Sequence, residues 1–225
     1  MRSHLKYGGF METLRVATAI PYPPFISDEG GLDVDLMHAL GEHLGATAEF
    51  VDPGSAYDCV TGTTVTSEAD MLPPYVISGQ ALAVDARRSP RVRSVDDLVG
   101  LTIGVRRGDT GQSIADRLAA DGKAGAVRSY DSIVSALTDL GTGACDAVIA
   151  LAPVLTELVR PIPGVDVVQR GLSTEDIAIA VAPGDQALLG RLTVAQAELE
   201  ADGTLQRIRR EWLGNPYTDQ SLTVH

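Results

Sequence analysis

The stretch SVDDLVGLTIGVRRGDTG, Ser94–Gly111, decides the fold. Ser94, with Asp97 three residues on, makes a capping-box-like start for a short helix. Thr102–Val105 reads as a strand, and RRGDTG leads it straight into a helix over Gln112–Ala120. Strand, turn and helix follow one another within a single run. The same alternation continues outward in both directions. Ala126–Ser129 is a strand, and Asp131 is the expected cap of a helix whose Ile133, Leu137 and Leu140 share a face. Gly141–Gly143 ends that helix, and Ala147–Leu151 is a buried-type strand. Pro153 opens another helix in its first turn, where proline is tolerated. Val165–Gln169 and Ile177–Val181 are strands. Helices over Gln186–Glu200 and Leu205–Leu213 are split by the turn Ala201–Thr204. Toward the N-terminus, Leu14–Thr18, Ala48–Val51, Cys59–Thr61 and Ala81–Val84 are strands. Ile20–Phe25, IPYPPF, cannot be helix with its three prolines. Leu32, Leu36, Leu40 and Leu44 place one apolar face on a helix over Leu32–Leu44. This alternation predicts an α/β chain with parallel sheets.

Composition narrows the partners. The chain has 225 residues, 44% hydrophobic and 21% charged, with a net charge of −12. That is the make-up of a soluble globular protein. It argues against nucleic acid and anionic membrane surfaces, which select a basic face. No apolar run approaches the ~20 residues of a membrane span. The N-terminal segment carries no apolar signal-peptide core of about 7–15 residues. A native Met1 start, or Met11, implies a cytoplasmic protein; a signal already removed implies a periplasmic or cell-surface one. Gly8-Gly9 reads as a flexible terminus. Cys59 and Cys145 are expected to be free, partly buried thiols.

Eight collinear segments carry a family resemblance. They are Leu14–Phe25, Gly31–Leu36 (GLDVDL), Gly62–Glu68 (GTTVTSE), Pro74–Leu82 (PYVISGQAL), Ser94–Gly111, Cys145–Val154 (CDAVIALAPV), Ser173–Asp185 (STEDIAIAVAPGD) and Leu199–Gly214. In order and spacing they resemble the periplasmic solute-binding proteins of polar amino-acid ABC importers. The resemblance implies a two-lobed type II periplasmic-binding-protein fold. Lobe 1 would comprise residues 1–84 plus 172–225, and lobe 2 residues 85–171. Hinge strands would lie at Ala81–Val84 and Ser173–Ile177, with ligand between the lobes.

Three departures from the family stand out. The family's T-x-x-R arginine, which binds an α-carboxylate, is replaced in Thr66-Ser67-Glu68-Ala69. No Lys or Arg occurs anywhere from Val16 to Ala86, so this stretch offers no guanidinium. The family's aspartate for the α-ammonium is replaced by Leu151. Asp146 lies five residues earlier, on the opposite strand face, and is no substitute. Finally, only Asp52–Asp58 separates two strands where a parallel crossover normally takes a dozen residues or more. A lobe-1 helix is missing there, and a truncated lobe 1 is expected.

The candidate ligand-binding residues are Tyr22, Phe25, Gly62, Thr64, Arg107, Thr110, Gly111 and Glu175. Thr110 and Gly111 open a helix whose N–H groups and dipole favour an anion, and Arg107 would add a charge-assisted bond. Thr64 offers a hydroxyl, Gly62 a backbone donor, and Tyr22 and Phe25 aromatic rings. Against this stand an exposed turn, strand-forming threonines, a proline loop packed on the core and a solvated hinge charge. His38 and His43 are five apart, which is not a zinc pair. No metal, cofactor or catalytic motif is expected.

Three functions remain open. The first is a module binding a small polar or anionic molecule other than a standard α-amino acid, serving an ABC permease if exported. The second is a cyclohexadienyl dehydratase-like lyase, with Arg106 or Arg107 holding a substrate carboxylate and Glu175 as acid. The third is a partner or regulatory protein that has lost its ligand.

Overall fold

The computed structural model describes residues 12–66 and 69–214. The expectations for Gly8-Gly9, for Met1 and Met11, and for Ser67 and Glu68 fall outside the described residues.

Two five-stranded sheets hold the chain. The first has the order β2-β1-β3-β10-β4, built from β1 (Glu12–Thr18), β2 (Ala46–Phe50), β3 (Cys59–Thr64), β4 (Val76–Ser78) and β10 (Glu175–Val181). The second has the order β7-β6-β8-β5-β9, from β5 (Gln80–Asp85), β6 (Thr102–Arg106), β7 (Ala126–Tyr130), β8 (Ala147–Leu151) and β9 (Val165–Gln169). The α/β architecture is as read from the sequence, but both sheets are mixed. β10 runs antiparallel to β3, and β5 runs antiparallel to β8 and β9.

By contacts, the chain forms two units. One comprises residues up to Pro21, Asp28–Tyr75 and from Ile177 onward; the other comprises Tyr22–Ser27 and Val76–Asp176. The divisions at Tyr75 and Asp176 differ from the expected 84 and 171. The reason lies in β5. Ala81–Val84, expected as a hinge, is a central strand paired on both sides and buried along its whole length.

In the first unit, α1 (Leu32–Leu44) buries Leu32, Leu36 and Leu40 of the stripe seen in the sequence, with Met37 added, while Leu44 at its end is only half-buried. It ends at Gly45 in the left-handed region, where glycine lacks the Cβ penalty. α5 (Gln186–Ala201) and α6 (Thr204–Leu213) complete the unit. Trp212 Nε1 donates to Asp35 at 2.7 Å, fixing α6 to α1. Arg209, fully buried, donates through Nε to the Tyr75 carbonyl at 2.7 Å and pairs with Glu200 at 2.9 Å.

The short connection in this sheet has a geometric explanation. Val16 of β1 lies opposite Phe50 of β2 on one side and opposite Cys59 of β3 on the other. β3 therefore begins at the level where β2 ends. The chain crosses two strand spacings, about 10 Å, without returning to the sheet's starting end, so no crossover helix is needed. The arrival is clamped: Arg15 donates to both Asp58 oxygens at 3.1 and 2.6 Å, and Asp58 N donates to the Arg15 carbonyl at 2.9 Å.

In the second unit, β5 alternates between two cores. Ala81 and Ala83 join Ile133, Leu137, Leu140, Val148 and Leu155; Leu82 and Val84 join Leu98, Ile103, Val105, Ile114 and Ile149. The helices are α2 (Thr110–Ala120), α3 (Ile133–Thr142) and α4 (Ala152–Val159). α3 is capped by Ser132, whose Oγ accepts from Ser135 N at 3.1 Å, and not by Asp131 as expected. A serine one residue nearer the helix occupies the position from which an oxygen reaches the orphan N–H. The Ser94–Asp97 capping box is present, around a short 3-10 turn.

Candidate functional site

Six of the eight candidate residues fall in the second unit, and four of them, Tyr22, Thr110, Gly111 and Glu175, meet at a common wall. β6 ends at Arg106, and the turn through Gly108 delivers the chain to α2. Asp109 sits at the N-cap of α2 but caps nothing, because its carboxylate is engaged by Arg106: Nε and Nη2 each approach Oδ1 at 3.0 Å. Arg106 also lies over the Tyr22 ring, 5.6 Å from its centroid, within cation–π range. Tyr22 packs against the core cluster containing Ala81 and Ala150.

Gly111 sets the depth of α2. A Cβ there would lie 2.9 Å from the Ile149 carbonyl and 3.0 Å from Gln80 Oε1, so only glycine allows this approach. The approach brings Thr110 Oγ1 within 3.2 Å of Glu175 Oε2, to which it donates. Glu175 Oε1 accepts from Gln80 Nε2 and from Ser173 Oγ, both at 2.8 Å. Gln80 N donates in turn to Ser173 Oγ at 3.0 Å. Glu175 is 7% exposed. It was expected as a hinge residue that solvates its charge or faces the ligand; it is a buried carboxylate held by neutral donors. Burial pushes Asp109 above the ordinary carboxylate range; Arg106 opposes this, and the charge of Glu175 adds to it.

Other candidates fall elsewhere. Arg107 turns to solvent, 67% exposed, with Nε 3.6 Å from Asp131. It lies beyond the strand, whereas Arg106 is the last strand residue and keeps the strand's orientation; the arginine at this wall is Arg106. Phe25 is fully buried and offers no ring face. Gly62 and Thr64 belong to the first unit. Gly62 takes φ +72°, and its N–H is already given to Tyr75 Oη at 2.9 Å, so it is not a spare donor. Thr64 is exposed at the end of β3.

The Gly62 bond leads to a second buried carboxylate. Tyr75 Oη donates to Asp33 Oδ1 at 2.7 Å, and both residues are fully buried. Burial pushes Asp33 up to about 7, against hydrogen bonds that pull it down. Its Oδ2 has no hydrogen-bond partner. Asp33, Gln80, Ser173 and Asp109 were all missed as site neighbours in the sequence.

The replaced residues take ordinary roles. Leu151 is half-buried where β8 meets α4. Asp146 accepts from Thr102 N at 2.8 Å, at the far end of β8. Cys59 and Cys145 are free and buried; burial pushes their thiols up to about 12 and 11. His43 meets Glu198 at 3.2 Å. Among the described residues, no helix is long and apolar enough to cross a membrane.

Comparison with known proteins follows the same geometry. The sequence profile of the bacterial extracellular solute-binding proteins, family 3, matches residues 14–215. The chain belongs to this family. The L-cystine-binding protein TcyJ of Escherichia coli is 27% identical, over 92% of this chain and 84% of its own length. The ABC transporter arginine-binding protein 1 of Escherichia coli is 29% identical, over 89% and 90% respectively. Among solved structures, an ancestral arginine-binding protein bound to arginine superposes with a TM-score of 0.79 at 32% identity, over 90% of this chain and 98% of that one. The family 3 proteins bind small amino-acid ligands and work with ABC transporter permeases.

Proposed function

We propose that this family 3 protein binds a small polar solute through the wall formed by Tyr22, Arg106, Thr110, Gly111 and Glu175, and presents it to an ABC permease if exported. The observation that carries the reading is the Thr110–Glu175–Gln80–Ser173 cluster, polar and preorganised at the start of α2. The orphan N–H groups of that first turn add donors for a ligand oxygen. The usual clamp of arginine and aspartate is replaced at Ala69 and Leu151. The solute is therefore recognised differently from a conventionally clamped α-amino acid.

A thermal-shift screen tests this, with arginine, cystine, dicarboxylates, prephenate and arogenate on the whole chain. A ligand at 100 times its Kd stabilises by about 2.7 kcal/mol, a shift of several degrees at this size. A flat panel over a cooperative melt would count against solute binding. Turnover of prephenate would replace it with the lyase reading.

A further inference from the structure

The turn that leaves β5 carries charge opposite in sign to that of the whole chain. Arg87, Arg88, Arg91 and Arg93 fall within the stretch RRSPRVR, with no carboxylate among them, in a chain of net charge −12. All four are exposed. The backbone beneath them is pinned. Ala86 N donates to the Gly164 carbonyl at 2.8 Å, and the Asp85 carbonyl accepts from Arg88 N and Ser89 N at 3.1 and 2.8 Å. Val92 is buried in the core with Leu98 and Ile103. Two of the nearest carboxylates are spent on holding this shape. Buried Asp85 takes Arg87 in a two-pronged pair at 3.0 and 2.8 Å, and Asp97 Oδ2 accepts from Arg93 N and Ser94 N at 2.9 and 3.0 Å. Arg88 donates to the Gly141 carbonyl at 3.2 Å and lies 3.7 Å from the same Asp85. Among the described residues, the guanidiniums of Arg91 and Arg93 make no hydrogen bond or ion pair. Only Asp96 is left in residues 85–97 as an uncommitted carboxylate. Like charges held in one fixed turn repel each other, and solvation alone does not require them to be gathered. Arginine without lysine favours planar, two-pronged pairing with carboxylates.

We propose that this arginine turn docks an acidic segment of a partner protein, whose carboxylates pair first with Arg91 and Arg93. The surface is separate from the solute wall. β5 runs antiparallel to β8, with Gln80 opposite Leu151 and Val84 opposite Ala147, so the turn lies at the far end of the second sheet from Gln80. β6 starts at that same end, with Ile103 opposite Ala147, and just before it Val99 is 68% exposed, an apolar contact beside the charges. A protein segment fits the turn better than a bilayer does. An anionic bilayer is broad enough to meet the rest of the chain, whose net charge repels it, whereas a side-chain carboxylate meets the turn alone. Residues 85–99 also carry no aromatic ring to seat at a membrane interface.

The test is fluorescence anisotropy of the whole chain with a labelled, end-blocked hexaglutamate peptide. Binding is expected at low salt and should weaken as salt screens the pairs. Arg91→Glu combined with Arg93→Glu is expected to weaken it at least about tenfold, the effect of losing charge-assisted hydrogen bonds. Arg207→Glu combined with Arg210→Glu makes the same change in net charge on exposed positions of α6, in the first unit. That pair is expected to change affinity less than about twofold, since its charges lie outside the turn. If the reversed turn melts early, Arg91→Gln with Arg93→Gln takes its place, with an expected loss of at least about fivefold. No binding of hexaglutamate at low salt would overturn the proposal. So would an equal loss in the α6 pair, which would mean that net charge and not the turn is read. Co-sedimentation with phosphatidylglycerol vesicles that the Arg91 and Arg93 reversal abolishes, with hexaglutamate unbound, would overturn it in favour of a bilayer.

Discussion

Two buried carboxylates, one in each unit, are held in opposite ways. Asp33 receives one short bond from Tyr75 and leaves Oδ2 unpartnered, and burial pushes it up to about 7. Glu175 receives three donors from three separate segments, and its neighbour Gln80 has an acceptor to spare. The contrast separates structure from recognition. Asp33 sits in the first turn of α1 and links α1 to Tyr75 and, through Tyr75, to Gly62 of β3. Glu175 sits on the wall proposed to meet the solute, held by two hydroxyls and one amide.

The largest expected effect tests the Asp33 side. A carboxyl raised from 3.8 to about 7 in the fold binds its proton more tightly when folded. Its stabilising contribution is complete below the unfolded value and is lost as pH rises through about 7. Denaturant titrations between pH 4 and 8 should show this loss, with an upper bound of roughly 4 kcal/mol. Asp33→Asn should flatten it. Asp85, held down to about 2 chiefly by its hydrogen bond with Arg87, titrates below that window; Asp109, also raised by burial, adds a loss of the same sign, so the difference between the native protein and Asp33→Asn isolates Asp33. Tyr75→Phe comes next. It strips Asp33 of its short bond and Gly62 N–H of its acceptor, for an expected loss of about 2–3 kcal/mol by chemical denaturation. A loss below about 0.5 kcal/mol would mean water replaces the phenol and the network is not structural.

On the Glu175 side the effects should shift from stability toward binding. Gly111→Ala forces a Cβ against the Ile149 carbonyl. The cost expected is about 1–3 kcal/mol in stability, with weakened solute binding as α2 is pushed outward. The smallest effect is expected at Arg107→Ala. An exposed pair such as Arg107–Asp131 is worth under about 1 kcal/mol, and neither the melt nor solute affinity should move appreciably. A marked loss of affinity in that variant would restore Arg107 to the site in place of Arg106.

Much of the fold was legible because its signals are local. The Leu32–Leu44 stripe, the run from Thr102 into α2, and the Ser94–Asp97 box each depend on residues a few positions apart. The family membership was legible because many short segments were collinear. The candidate site was less so. Thr110, Gly111 and Glu175 were singled out, but the partners that give them meaning lie far away in sequence. Gln80 meets Glu175 across 95 positions, and Asp33 meets Tyr75 across 42. No periodicity reports such pairs. The choice between Arg106 and Arg107 was legible in principle. Extending the strand by one residue, from Val105 to Arg106, would have placed Arg106 on the sheet and Arg107 in the turn. The mixed sheets were missed because alternation of strands and helices does not show where the chain reverses direction between β8, β5 and β9.

The stagger of β2 and β3 on either side of Val16 also makes the chain unusually easy to lengthen at one place. Asp52–Tyr57 is exposed throughout, and its ends are fixed by backbone bonds from Val51 to Val16 and from Asp58 to Arg15. Both anchors lie outside the span itself. Doubling a flexible segment costs only about 0.6 kcal/mol in closure entropy. This bridge is therefore a natural splice point, where a reporter domain or an affinity handle can be carried without touching a ladder or the wall around Glu175.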